Sequence, residues 1–176
     1  GPVVIKADGL ASGKGVIIAA NSAEALKGLS DLMLEKTLGA AGGRVLLEET
    51  LQGEEISLLA FCDGERAVPL PSAQDHKRVF DNDKGPNTGG MGAYSPTKLL
   101  PGDKLAAIYN LTIPPILRTM KAMRHPFVAV LYAWLRHTPH VITLLEFNVR
   151  FSDAEWQPLP MRLAPHHAPL HIMRTC

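Results

Sequence analysis

Apolar residues along this chain fall into short runs separated by polar punctuation, with helical periodicity in only two places. Val3-Val4-Ile5 is one run and Val16 to Ala20 a second; between them lies Asp8-Gly9-Leu10-Ala11-Ser12-Gly13-Lys14-Gly15, so the opening stretch predicts strand, glycine loop, strand. Asn21 with Glu24 three positions on has the spacing of a capping box. It opens a predicted helix whose Ala25, Leu29, Leu32 and Met33 share a face and which Gly39 ends. Residues 44–49, 56–62 and 67–70 predict further strands, the last two joined at Asp63-Gly64, a hairpin signal that makes the sheet at least partly antiparallel. Asp103 is placed to cap a second helix reaching about Met123, which Pro114-Pro115 should break or kink because proline lacks the amide proton and clashes with the preceding turn. Strands near 127–135 and 140–147 complete the pattern. The tail from Pro158 onward holds four prolines, Pro158 among them, and has no assignable element, and there are no internal repeats.

The 176 residues and 19.0 kDa suit one ordinary domain that buries roughly 70% of the unfolded chain's surface. With 18 basic and 17 acidic residues, 20% charged and 46% hydrophobic, the composition is globular and offers no general basic surface for nucleic acid. Residues 1–103 carry 10 basic and 14 acidic groups and residues 104–176 carry 8 and 3, but the basic residues of the second part are spread out, which reads as solvated surface. No run of about 18 apolar residues is present and the first residues lack a signal-peptide layout, so a soluble, cytoplasmic protein without membrane contact is expected. Cys62 and Cys176 imply no disulfide framework.

Four segments carry candidate chemistry. The glycine loop 9–15 frees backbone amides to approach phosphate and Lys14 adds charge, although neither the Walker A spacing nor the dinucleotide fingerprint is met, and a plain hairpin turn uses glycines too. Lys6 strengthens the case: a lysine inside an apolar strand is costly unless it meets an anion. Glu48-Glu49 and Glu54-Glu55 put four carboxylates within eight positions, which must face water or meet hydroxyls and cations. From Pro71 to Pro101 runs a long polar, glycine-rich segment without hydrophobic period. It includes Gln74-Asp75-His76-Lys77-Arg78 and Gly85-Pro86-Asn87-Thr88-Gly89-Gly90-Met91-Gly92-Ala93-Tyr94, groups suited to a small anionic substrate. Strand alternation puts Glu146 and Asn148 on one face, two oxygen ligands for a hard cation, though an amphipathic edge strand reads the same way.

Taken together, in this order, the segments 4–16, 47–49 with 53–55, 74–78, 85–94 and 146–151 resemble the motifs of the phosphoribosylamine–glycine ligases, ATP-grasp enzymes of purine biosynthesis; the resemblance covers residues 2 to about 163. It implies an α+β, ATP-grasp type fold with mixed or antiparallel sheets and packed helices, here incomplete. The division implied is a small lid-like subdomain over 1–47, a larger subdomain with the substrate loop over 48–163 and a tail over 164–176. It also implies an ATP-dependent carbon–nitrogen ligase that joins glycine to 5-phosphoribosylamine through glycyl phosphate, with ATP and Mg2+ or Mn2+ as cofactors and the other domains of a longer ligase as partners. Carried over residue by residue, Lys6 and Arg150 act catalytically; Lys6, Gly9, Ser12, Gly13, Lys14, Gly15, Glu48, Glu49 and Glu55 bind nucleotide. Asp75, His76, Lys77, Arg78, Asn87, Thr88 and Gly90 bind substrate, and Glu146 and Asn148 hold the metal.

The sequence departs from the family at Trp134, where glycine is usual, and at Ser152-Asp153-Ala154-Glu155 followed by Trp156, where Gly-Asp-Pro-Glu is usual; these put two large rings near the metal strand. Two other readings stand beside the ligase: a degenerate paralogue that binds nucleotide without ligating, and a segment that folds only against missing domains or a partner. ATP binding without glycine-dependent ADP release would mark the first, and exposed apolar faces the second.

Overall fold

The computed structural model describes residues 1–11, 14–82, 84–88, 90–164 and 169–175. Two compact units divide the chain, Gly1–Gln52 and Gly53–Cys176.

In the first unit β1 (Val3–Ala7) lies between β2 (Val16–Ala19) and β3 (Val45–Glu49), antiparallel to both. Ile5 pairs with Ile17 and Leu47 and is fully buried. Helix α1 (Ser22–Leu29) packs close on the Ile5–Ile17 side, because Gly28 has no side chain to hold it off: a Cβ there would lie 3.1 Å from Ile17 and 3.4 Å from Ile5. Asn21 caps α1 as expected, accepting the Glu24 amide at 3.0 Å while Glu24 accepts the Ala20 amide at 2.9 Å. The helical path then widens into a π turn at Ser30–Leu34 and leaves the helix at Lys36, whose φ is +52°, ahead of Gly39. That one wide turn shifts the phase of the apolar stripe, so Leu32 is buried while Met33, expected beside it, is exposed.

In the second unit four antiparallel strands run in the order β11 (Ile142–Asn148), β10 (Val128–His137), β4 (Glu54–Asp63) and β5 (Ala67–Pro69). One face, carrying Ile56, Leu58, Ala60 and Cys62 of β4 and Leu131, Ala133 and Leu135 of β10, forms a core with Ile113 and Leu117 of helix α2 (Gly102–Ala122). The helix starts one residue before Asp103, with Pro101 at the cap position and no side-chain cap. It also runs unbroken through Pro114-Pro115, against expectation. Each proline costs about 3 kcal/mol; the apolar stripe Leu105, Ile108, Ile113, Ile116 and Leu117, packed on this core, outweighs that at about 1.5–3 kcal/mol per fully buried side chain.

The opposite face packs Leu59 and Phe61 of β4 and Val130 and Tyr132 of β10 against Leu70, Ala73 and Leu159. The long polar segment, without hydrophobic period, is nonetheless built: β6 (Gln74–Asp75) pairs with β9 (Ala93–Tyr94), and β7 (Arg78–Phe80) pairs with β8 (Lys84–Asn87) inside it. Short helices α3 (Asp153–Trp156) and α4 (Pro169–Thr175) follow β11. The β10–β11 turn lacks Gly or Asn; instead Thr138 Oγ1 accepts the amides of His140 and Val141 at 3.3 and 3.0 Å and donates to the Val141 carbonyl at 2.8 Å. Gly53, at φ +150°, passes so near this turn that a Cβ would stand 2.1 Å from the His137 carbonyl oxygen. Gly53→Ala should therefore cost about 3 kcal/mol in a urea unfolding experiment. Gly102→Ala, with nothing within 4 Å of its Cβ, should leave the midpoint in place. No helix among the described residues is long and apolar enough to cross a membrane.

Candidate functional site

Lys6 meets its anion within the first unit. Its Nζ lies 2.8 Å from Glu48 Oε2, on the sheet face opposite the buried Ile5. Val16, Ile18 and Leu46 flank the pair on that face, exposed by 48%, 60% and 49%, so a charged pair stands in an open apolar surface. Glu49, one residue on, is exposed. The glycine loop is closed at its base by the Ala7 amide donating to the Gly15 carbonyl at 2.8 Å. Gly9 gives its amide to Ala41 at 3.0 Å and approaches it so closely that a Cβ would lie 2.5 Å from the Ala41 Cα, and the Lys14 amide goes to Ala11 at 3.0 Å. Those two amides are thus already committed, one to Ala41 and one within the loop; Ser12 and Gly13 lie outside the described residues.

In the second unit the register of β4, β10 and β11 gathers polar groups on the face away from α2. Glu55 and Ser57 come from β4, Tyr132, Trp134 and Arg136 from β10, and Glu146 and Asn148 from β11, where Trp134 pairs with Glu146 and Tyr132 with Asn148. Glu55 accepts from Arg136 Nη2 at 2.8 Å on one oxygen and from the Trp134 indole Nε1 at 3.1 Å on the other. Asn148 Nδ2 donates to Glu146 Oε1 at 3.1 Å, which leaves an amide oxygen and a carboxylate side by side as hard donors. No group of three or more His, Cys, Asp and Glu able to hold a metal occurs among the described residues. Glu146 and Asn148 thus present two side-chain oxygen donors, the ligand type a hard cation takes. Arg150, two residues past β11, lies over the Tyr132 ring at 5.8 Å.

The polar segment from Pro71 to Pro101 brings its residues together locally. Tyr94 donates to Gln74 Oε1 at 2.6 Å and stacks on His76 at 5.8 Å, while Lys77 bonds Asp75 Oδ2 at 2.9 Å and hangs over the Trp134 ring at 5.0 Å. Thr88 binds back to the Lys77 carbonyl through amide and hydroxyl, at 2.7 and 2.8 Å. Gly90, at φ +128°, leaves the Asp75 carboxylate uncrowded, since a Cβ there would come within 2.9 and 3.0 Å of its two oxygens. The other Asp75 oxygen is buried and accepts no hydrogen bond from the described residues. Arg78 reaches the Gly85 carbonyl at 3.2 Å and pairs across the hairpin with Asn87. A cleft of about 320 Å³ opens beside this hairpin, lined by His76, Arg78, Val79, Phe80, Asp81, Asn82 and Met91.

Sequence reasoning passed over the group that holds this face together. Glu155 is fully buried and accepts from Ser57 at 2.6 Å, from Tyr132 at 3.0 Å and from Ser152. Burial pushes its carboxyl up, and the hydroxyls of Ser152, Ser57 and Tyr132 together more than reverse that, holding it below the usual carboxylate range. Burial and then the Glu155 charge push the Tyr132 phenol far above its ordinary value. A signal was present: Ser57 interrupts an otherwise apolar strand, and Ser152 precedes Glu155 by three. Both unusual rings pack against the second core: Trp156 lies edge-on to Phe61 and Phe151, and Trp134 also presents its Nε1 to Glu55.

Comparison with known proteins decides the family. The profile described as phosphoribosylglycinamide synthetase, ATP-grasp (A) domain, matches residues 1–156. This chain belongs to that family. It is 52% identical over 161 residues to the phosphoribosylamine–glycine ligase of Rhodopirellula baltica, covering 92% of this chain and 37% of the relative, and 50% identical over 164 residues to that of Vigna unguiculata, covering 92% and 53%. The crystal structure of the Thermotoga maritima phosphoribosylamine–glycine ligase superposes with a TM-score of 0.86 at 35% identity, over 99% of this chain and 44% of that one. A biotin carboxylase domain from Hydrogenobacter thermophilus shares the fold at a TM-score of 0.63 and 18% identity. The α+β ATP-grasp fold is thus that of this chain, which spans between about a third and a half of the length of these ligases.

Proposed function

We propose that this chain is the ATP-grasp part of a ligase that joins glycine to 5-phosphoribosylamine in cytoplasmic purine biosynthesis, completed by the other domains of a longer enzyme. What carries the reading is Glu146 beside Asn148 on the polar face, with Glu55 two strands away, in a chain that the family profile matches over residues 1–156. The glycine carboxylate attacks the γ-phosphorus of ATP and releases ADP; the phosphoribosylamine nitrogen then attacks the acyl carbon, releases phosphate and loses a proton as the amide forms. No protein nucleophile takes part, so acceleration comes from positioning and charge neutralisation. Lys6, turned from Glu48, and the loop bearing Lys14 bind phosphates, Glu48, Glu49 and Glu55 bind the adenosine, and Arg150 and the Asp75–Arg78 and Asn87–Gly90 segments orient the acyl phosphate and amine. Glu146 and Asn148 hold magnesium or manganese, which supplies charge neutralisation on the phosphates when bound.

Thermal unfolding with and without magnesium-ATP tests this. A ligand that binds only the folded chain stabilises it by about 2.7 kcal/mol at a hundredfold excess over its dissociation constant, so the transition should move upward. A transition that does not move overturns the reading; one that moves, without glycine-dependent ADP release, favours the nucleotide-binding paralogue.

A further inference from the structure

Arg136, Lys77 and Arg150 all reach the polar face of the second unit, but they are held differently. Arg136 is tied to Glu55 at 2.8 Å and Lys77 to Asp75 at 2.9 Å. Arg150 is exposed and has no ion pair among the described residues. Its Nη1 makes one 3.4 Å bond to the Phe151 carbonyl, and its guanidinium lies over the Tyr132 ring at 5.8 Å. The ring beneath it is fixed from its far end: Tyr132 is 1% exposed, and its hydroxyl donates to Glu155 at 3.0 Å and lies 3.0 Å from that of Ser57. Burial and then the Glu155 charge push the phenol far above its ordinary value, so it keeps its proton and offers Arg150 a ring face without an opposite charge. Tyr132 also pairs with Asn148 across the sheet, which sets the guanidinium beside the Glu146 and Asn148 donors.

We infer that Tyr132 is a positioning residue: its buried ring is a seat that holds the Arg150 guanidinium beside Glu146 and Asn148 with its charge uncancelled, turned to the phosphate oxygens of a bound nucleotide. The inference rests on the reading of Arg150 as a cation that faces the ligand. A carboxylate in place of the ring would orient the guanidinium too, but would take up its charge and two of its donors. A ring orients it by its face and leaves the donors at its edge for an anion.

The test is calorimetric binding of magnesium-ATP to the 176-residue chain and to Arg150→Ala, Tyr132→Phe, Tyr132→Leu and Tyr132→Leu with Arg150→Ala. Arg150→Ala should weaken binding about tenfold and Tyr132→Leu about fivefold, and the double variant should bind as Arg150→Ala does. Tyr132→Phe keeps the ring and loses the bond to Glu155, so both Tyr132 variants should melt lower while only the one without a ring loses affinity. Should Tyr132→Leu fail to fold, the arginine side-chain proton resonances decide. Over a ring face the Arg150 Nε–H, identified by its loss in Arg150→Ala, should lie upfield of the other arginines in the native chain and in Tyr132→Phe. An Arg150 resonance among the others, equal weakening by phenylalanine and leucine, or a leucine effect that persists on Arg150→Ala overturns the seat and leaves the nucleotide reading intact. Undiminished binding by Arg150→Ala overturns the reading of Arg150 and the inference with it; absence of nucleotide binding by the native chain overturns the nucleotide reading and the inference together.

Discussion

Replacing Glu155 by alanine should lower the melting temperature by about 10 °C, the largest loss expected from any single polar side chain here. The carboxylate is fully buried and takes hydrogen bonds from Ser57, Tyr132 and Ser152, three hydroxyls that water does not reach in its absence. Ser57 and Tyr132 are 3.0 Å apart and can satisfy one another in the variant, which leaves Ser152 and a cavity as the main costs. Together these amount to about 4 kcal/mol, and a unit of this size melts about 2–4 °C lower per kcal/mol. The same group gives stability a pH dependence of definite sign. Its folded value is lowered from the ordinary 4.5, so its contribution is complete above that pH and is lost as pH falls through the lowered value. Denaturant titrations at descending pH should show a loss in the native chain that Glu155→Gln lacks. An equally steep acid limb in the glutamine variant would mean that Glu155 does not carry it.

Glu146→Ala should weaken magnesium-ATP binding about a hundredfold, the loss of about 3 kcal/mol expected when a charged ligand to the metal is removed. The variant should bind ATP in EDTA as the native chain does, because the role proposed for Glu146 is exercised through the metal. Glu146 is half-buried at the edge of the four-stranded sheet, so the substitution leaves the core untouched and the melting temperature without ligand should hold. Titration calorimetry with and without magnesium separates the two terms. Equal weakening in both conditions would remove Glu146 from the metal site.

The features legible in the sequence are those set by neighbouring residues. Asn21 and Glu24 announce a cap three positions apart, Asp63-Gly64 announces a hairpin, and the alternation of Glu146 and Asn148 along a strand puts them on one face whatever the strand pairs with. Lys6 was legible as a charge in need of a partner, but that the partner is Glu48, 42 residues on, follows only from β3 pairing with β1. Glu155 was hidden for the same reason, since its donors come from β4, from β10 and from the segment after β11. The doubled proline misled because local cost was weighed without the core that α2 buries. Met33 misled because a period of 3.6 was extended across a turn of a different width.

Ser57, Tyr132, Ser152 and Glu155 also constrain how this chain can diverge. Changing Glu155 leaves buried hydroxyls to place, and changing Ser57 or Tyr132 takes a donor from a buried charge, while exchanging the whole group for apolar residues of matching volume is close to neutral. The intermediate sequences are the unfit ones. In descendants of this chain Ser57, Tyr132 and Glu155 should therefore persist together or vanish together, a single inherited character written at sites as much as 98 residues apart, while position 152 can vary.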